Sequence, residues 1–469
     1  MTRSALFDIV KSYDVRGLVD SQLTPTVAYA LGVAVAQQLD LAGKGFIVGH
    51  DMRPSSPELA RALEAGAAHA GATVRSIGLA STDMVYFASG RFNEAAAMIT
   101  ASHNPPEYNG IKFAKAGAQG VSLNTGLSGI RDRAEAWLTE GHTPEIPEAP
   151  SQVTDVLADY AAFVRGLVDL SDIRPLRVVV DAANGMAGYT VPAVLGTDAG
   201  LPALPLEIQP LYFELDGTFP NHEANPLEPK NLVDVQKAVR AAGADLGLAF
   251  DGDADRCFVV DNNGDPVSPS VVGAIVSRRE IARVANQGEH QPTVLHNLIC
   301  SNVVRETITQ AGGVAVRTPV GHSLIKDEMA RTRAVFGAEH SAHYYFRDFF
   351  GADSGMLAAL HVLAELGHSS LSLGELASDY MPYVQSGELN TRVEDVDAVV
   401  ARIESAYAER RIDRLDGLSV FGPTEGDSMW WFNVRASNTE PLLRLNVEAG
   451  SPDTLARVTA QVQALIAGS

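Results

Sequence analysis

The sequence predicts an α/β protein: three similar mixed α/β domains in succession, followed by a smaller α+β domain at the C-terminal end. Short, purely apolar runs recur at 46–48, 178–180, 246–250 and 335–336, and runs of this kind read as strands buried on both faces of a sheet. Each run empties into a polar loop, with helix-length stretches in between, which is the punctuation of βα units. From about residue 373 the pattern changes to alternating strands backed by helices. A chain of 469 residues, 46% hydrophobic, is long enough for each of four units to bury a core.

In chain order, the polar turn 11–17 precedes a helix expected from about Thr24-Pro25, because proline is favoured in the first turn. A strand at 45–49 opens into the charged loop His50-Asp51-Met52-Arg53-Pro54, and an alanine-rich helix is expected at 57–70. The strand 72–77 leads on to the apolar stretch from Ala97. Residues 139–152 carry Pro144, Pro147 and Pro150 with no periodicity, so the first domain is expected to span 1–148. The second, 149–262, holds a helix at 155–170, strands at 176–181 and 244–250, and a helix at 231–242. The third, 263–372, repeats the plan with strands at 294–299 and 334–338, a threefold repeat of fold without obvious sequence identity. The fourth, 373–469, has helices at 396–410 and 452–466 and strands at 429–435 and 442–447. Gly374, Pro382 and Gly387 mark 373–390 as the expected hinge ahead of it.

Thirty-six basic against 57 acidic residues give a net charge of −21, which argues against a nucleic-acid or anionic-membrane partner. An anionic substrate would need positive charge concentrated locally. Two cysteines, Cys257 and Cys300, are too few for a disulfide framework and suit a reducing cytoplasm. The first ten residues have Asp8 inside a short apolar stretch and do not read as a signal peptide, and 27–39 is too short to span a bilayer.

Chemistry concentrates in four loops. In the stretch 97–106 an apolar run ends in Thr100-Ala101-Ser102-His103-Asn104-Pro105-Pro106, and the prolines stop it continuing as a central strand. Ser102 is therefore displayed at a strand exit, although the stretch taken alone is also an ordinary turn. Asp251-Gly252-Asp253-Ala254-Asp255-Arg256 places three carboxylates at alternate positions, where their repulsion is relieved by a hard divalent cation such as Mg²⁺. A calcium-binding helix-loop-helix would need Gly where Arg256 stands and Glu where Asn262 stands. Arg256 adds a cation that is useful when an anion approaches. Glu339 and Ser341 alternate after a third strand, and Arg435 to Pro441 form the polar tip between the last two strands.

With these four motifs in one order along the whole chain, the sequence resembles the α-D-phosphohexomutase family, most closely its bacterial phosphomannomutases. The resemblance implies an active site in a central cleft, with Ser102 carrying a phosphoryl group. Asp251, Asp253, Asp255 and Ser102 would bind Mg²⁺, and Arg256 and Arg16, the latter in Tyr13-Asp14-Val15-Arg16-Gly17, would stabilise the transferring group. Lys112 matches the family position for a general base and must lose its proton readily to act as one. His343 is a second candidate for that role. Tyr13, Glu339 and Ser341 would contact the sugar, His322 would contact substrate or close a turn, and Arg435, Ser437, Asn438 and Thr439 would bind the phosphate already on the substrate. The implied activity interconverts hexose 6-phosphate and hexose 1-phosphate, mannose first and glucose second, with hexose 1,6-bisphosphate as intermediate and activator. Phosphoglucosamine mutase, serine-metal phosphatase and a silent sugar-phosphate-binding protein are the alternatives, and the chain is expected as a monomer or dimer.

Overall fold

The computed structural model describes residues 5–142, 146, 152–436 and 442–468. The first sheet runs, edge to edge, Val15–Leu18, Tyr108–Lys115, Ala95–Ile99, Gly45–His50, Thr73–Leu79 and Gln152–Val153, with Gln119–Gly120 paired to Tyr108–Lys115. The second runs Pro266–Val267, Cys257–Val260, Leu246–Phe250, Leu176–Asp181, Leu206–Leu211. The third runs Val314–Thr318, Thr293–Asn297, Phe336–Ala338, Tyr344–Phe346, Ala352–Asp353. The fourth is antiparallel throughout, in the order Val384–Arg392, Leu442–Ala449, Trp430–Ala436, Leu418–Phe421, Arg411–Asp413.

One device recurs in the first three sheets. A parallel strand ends, a short loop turns back, and the next strand pairs antiparallel: Ala95–Ile99 with Tyr108–Lys115, Leu246–Phe250 with Cys257–Val260, and Phe336–Ala338 with Tyr344–Phe346. These three returns carry Ser102, the three aspartates and Glu339 in turn. Equivalent places in the repeat thus deliver the three motifs, and the return between Trp430–Ala436 and Leu442–Ala449 delivers the fourth.

The cores are unequal. One apolar cluster runs continuously through the first three units, from Ile47 and Phe87 through Val180 and Phe250 to Phe336 and Leu363. The fourth unit closes on a cluster of its own around Ile403, Phe432, Leu445 and Val462. Polar contacts tie it to the third: Asn302 N donates to Glu448 Oε1 at 2.9 Å, Val320 N to Asp416 Oδ2 at 3.1 Å, and Arg317 pairs with Asp413, beside apolar side chains of the seam such as Leu298, Phe421 and Met429. The expected hinge narrows, because Leu373–Ser378 is a helix with Leu373 and Ala377 buried in the larger cluster and Val384–Arg392 is already fourth-sheet strand. The connection is 379–383. A helix that the sequence did not announce, Thr82–Phe92, lies between Thr73–Leu79 and the Ser102 strand, capped by Ser81. Among the described residues, no helix is long and apolar enough to cross a membrane.

Candidate active site

Ser102 leaves its strand in the left-handed region, φ 50°, and its N–H is satisfied by Thr100 Oγ1 at 2.9 Å. Such a conformation costs a non-glycine residue free energy and persists only where surroundings enforce it. Arg53 enforces it. Fully buried, its guanidinium donates to four carbonyls of the loop: Ser102 at 2.9 Å, Asn104 at 2.6 Å, Pro105 at 2.9 Å and Tyr108 at 2.9 Å. Asp51 balances its charge at 3.3 Å. From the other side the second unit comes so close that a Cβ on Gly252 would stand 2.4 Å from the Ser102 carbonyl oxygen, so only glycine fits there.

The hydroxyl of Ser102 donates to Asp251 Oδ2 at 2.9 Å. Arg256 grips the same oxygen through Nε at 2.9 Å and Nη2 at 2.8 Å, and Nη2 also donates to His103 Nδ1 at 2.5 Å. Burial and the guanidinium groups of Arg256 and Arg16 hold His103 well below the usual imidazole range, so its ring is neutral. Arg16 donates to Asn104 Oδ1 at 2.5 Å and Asp14 Oδ2 at 2.6 Å, which ties it to the same loop.

Asp251, Asp253 and Asp255 are buried, with ligand oxygens within 4.8 Å of one another, as the alternation predicts. Burial, against the pull of Arg256, pushes Asp251 up to about 8, with Asp255 and Asp253 adding to the rise. Thr82 Oγ1 donates to Asp253 Oδ2 at 2.5 Å, and Lys112 Nζ reaches Asp253 Oδ2 at 2.7 Å and Asp255 Oδ2 at 2.6 Å. Asp253 Oδ1 and Asp255 Oδ1 are buried acceptors that no described donor satisfies. Against its burial, the two carboxylates raise the hold of Lys112 on its proton well above the ordinary.

The third unit completes the cleft. Glu339 is buried and accepts from Tyr345 Oη at 2.7 Å, Asn297 Nδ2 at 3.3 Å and Gly321 N at 3.2 Å. His343 touches Ser341 Oγ at 2.9 Å through Nδ1, and its Nε2 stands 3.9 Å from Asp255 Oδ1. Tyr13 is 36% exposed, and burial together with Asp14 raises its phenol, with Glu339 and Lys112 among its charged neighbours. In the fourth unit Arg435 is buried, with Nη2 2.6 Å from Glu388 Oε2, and its Nε is unsatisfied among the described residues. His322 opens the helix His322–Thr332, its side chain outside the described residues, as are Ser437, Asn438 and Thr439 altogether.

Sequence reasoning missed Arg53, His103, Thr82, Tyr345 and Glu388. His103 and Arg53 had a signal, one beside the serine and the other ending the charged loop of the neighbouring strand. The remaining three are found only through tertiary contacts.

Four family models match in order: phosphoglucomutase/phosphomannomutase α/β/α domain I over residues 8–138, domain II over 158–264, domain III over 269–383, and the C-terminal domain over 388–465. The chain is 39% identical over 465 residues to a protein of Xanthomonas campestris named phosphohexose mutases, covering 98% of this chain and 99% of that one. It is 38% identical to a phosphomannomutase of Salmonella typhimurium, covering 96% of each. It is 34% identical to the phosphomannomutase/phosphoglucomutase of Pseudomonas aeruginosa, covering 96% of this chain and 93% of that one. Among solved structures, a phosphoglucomutase/phosphomannomutase family protein from Burkholderia thailandensis superposes with TM-score 0.86 at 28% identity, covering 100% and 98% of the two chains.

Proposed function

The chain belongs to the phosphoglucomutase/phosphomannomutase family and is a phosphohexomutase, and we propose that it interconverts hexose 6-phosphate and hexose 1-phosphate, mannose first and glucose second, by way of a phosphoryl group carried on Ser102. The observation that carries this reading is the Ser102 hydroxyl 2.9 Å from Asp251 Oδ2, inside a cluster of three buried carboxylates and beside Arg256.

Asp251, Asp253 and Asp255, with an oxygen on Ser102, would hold Mg²⁺; the fit rests on two buried carboxylate oxygens without a donor and on a cluster of like charges that needs a cation. Bound there, the ion supplies charge neutralisation and polarisation at phosphorus.

The chain's own residues do the rest. In each half-reaction a phosphorus–oxygen bond to one partner breaks as the bond to the other forms, and the attacking hydroxyl gives up its proton. Lys112, held between two carboxylates, or His343, near one of them, takes that proton. Arg256 and Arg16 stabilise the equatorial oxygens, donating hydrogen bonds that charge makes strong. Glu339 and Ser341, with Tyr13, orient the ring. If they read O3 and O4, the epimers at C2 are weakly separated and both turn over. Arg435, released from Glu388, binds the substrate's own phosphate with Ser437, Asn438 and Thr439, and His322 contacts substrate or closes a turn. Between the half-reactions the hexose 1,6-bisphosphate turns end for end.

The test is chemical. Purified protein charged with hexose 1,6-bisphosphate should carry one phosphate, mapped by peptide sequencing to Ser102, and Ser102→Ala should keep its fold and lose turnover. A phosphate on another residue, an active alanine variant, or release of inorganic phosphate in place of isomer would refute the reading.

A further inference from the structure

The seam between the third and fourth units holds a cavity of about 70 Å³ that the catalytic account leaves unused. Three arginines line it: Arg305 on the helix Asn302–Gln310, Arg317 on the strand Val314–Thr318, and Arg411 on the edge strand Arg411–Asp413. The first two belong to the third unit and the last to the fourth. In a chain of net charge −21 such a cluster is out of character.

Its counter-charge is short. Arg317 pairs with Asp413 across the seam. Among the described residues Arg305 pairs only with its chain neighbour Glu306, at 3.9 Å, and the same Glu306 oxygen already accepts from Tyr383 Oη at 2.8 Å. Arg411 has no carboxylate partner among the described residues; its guanidinium lies over the Phe421 ring, 4.1 Å from the centroid, and that of Arg317 lies 5.3 Å from the same centroid. Like charges held together repel, and with burial the repulsion from Arg411 and Arg305 lowers the hold of Arg317 on its proton. The nearby carboxylate of Glu448 does not relieve this, since Trp431 Nε1 at 2.8 Å, Asn302 N at 2.9 Å and Gln385 Nε2 at 2.9 Å use it.

The place is separate from the substrate's phosphate loop. Trp430, which lines the cavity, and Arg435 are five residues apart on one extended strand, about 16 Å at the usual rise. At about 70 Å³ the cavity has room for a small tetrahedral oxyanion.

We propose that the Arg305, Arg317 and Arg411 cluster is a second anion site, which takes inorganic phosphate or the phosphoryl group of a small metabolite and ties the fourth unit to the third. Guanidinium groups bind such oxygens through paired N–H donors. Occupancy restrains rotation of the fourth unit and so slows turnover, a consequence that rests on the mutase reading, whereas the binding does not.

The test separates the two. Inorganic phosphate and glycerol phosphate are titrated calorimetrically into the full chain carrying Arg435→Ala, which silences the substrate's phosphate loop, and into the same chain with Arg411→Gln or Arg305→Gln added. One-site binding weakened at least tenfold by either added change is expected. Binding equal with and without them, or absent at about 10 mM, overturns the site. Tighter binding of glycerol phosphate than of inorganic phosphate identifies a metabolite as the natural occupant; the reverse identifies free phosphate. In the otherwise unchanged chain, phosphate should lower kcat at least twofold, and Arg411→Gln should abolish that fall while leaving basal kcat intact. A kcat equally insensitive in both overturns the restraint, and failure of the mutase reading itself appears instead as no turnover in either.

Discussion

Replacing Arg53 by lysine should cripple turnover without touching substrate. The guanidinium donates to four loop carbonyls and pairs by charge with Asp51, and a lysine ammonium has three protons to donate. At least one buried acceptor loses its donor, at a cost of about 1.5 kcal/mol, the low end for hydrogen bonds to a charged group. The loss falls on the segment that holds Ser102 at φ 50°. If it is felt wholly in the transition state, kcat drops about tenfold or more, one decade for each 1.4 kcal/mol or so. Because Arg53 faces backbone and not the sugar, KM should stay within about twofold, a split that distinguishes misplacement of the serine from loss of binding. Steady-state conversion of mannose 1-phosphate, with a parallel thermal melt to show that the variant is folded at assay temperature, measures both. A folded Arg53→Lys enzyme with kcat within threefold of the parent would refute the argument that these four bonds preorganise the nucleophile.

Four further outcomes are expected. Asp83, buried where the first three units meet and bonded by Tyr160 Oη and Ser354 Oγ, is pushed by burial up to about 6 from 3.8; the folded state therefore holds the proton more tightly, stability falls as pH rises from about 4 to about 6, and denaturant unfolding should show the parent losing about 3 kcal/mol over that window that Asp83→Asn does not lose. Lys326 and Asp353 form a buried pair at 2.5 Å, so Lys326→Met should cost about 3–5 kcal/mol, while adding Asp353→Leu should recover most of it; a single variant as stable as the double contradicts this. Excess chelator should abolish turnover and Mg²⁺ restore it, and full activity in chelator removes the metal from the mechanism. Glu339→Gln should raise KM for mannose and glucose phosphates alike, and a large loss confined to one epimer would show that the loop reads C2.

The legible parts of the molecule were those written locally. Strands buried on both faces leave unmistakable apolar runs, and the loops after them advertise their chemistry in adjacent letters, as in Ser102-His103-Asn104 or the three alternating aspartates. The helix Thr82–Phe92 was hidden because Val85, Tyr86, Phe87 and Gly90 are poor helix formers and its face is almost wholly buried, so no amphipathic period shows. Arg53 was hidden for a different reason: its partners are backbone carbonyls, which have no letter in a sequence. Glu388 reaches Arg435 from two strands away, since Val384–Arg392 pairs with Leu442–Ala449 and that strand in turn pairs with Trp430–Ala436. The charge state of Lys112 depends on two aspartates 141 and 143 residues further on.

The division of the cores decides which part of the cleft can move. Loops bearing Ser102, Asp251 and Glu339 stand on sheets that share one apolar cluster, so displacing any of them relative to the others exposes apolar side chains at roughly 25 cal/mol for each Å² uncovered. Rotating the fourth unit uncovers no part of its own cluster. It exchanges polar contacts at Asn302, Val320 and Arg317 for contacts with water, at a net cost of about 1 kcal/mol per hydrogen bond, and it uncovers apolar side chains at the seam, such as Met429 and Trp431. A single nucleophile that must serve both ends of one sugar needs a fixed reaction centre and a compliant grip on the far phosphate. The first three units supply the fixed centre. Among the described residues, Arg435 sits on the one sheet whose core is independent of it, and under the proposed mechanism its ion pair with Glu388 gives the guanidinium an alternative partner when the phosphate lets go.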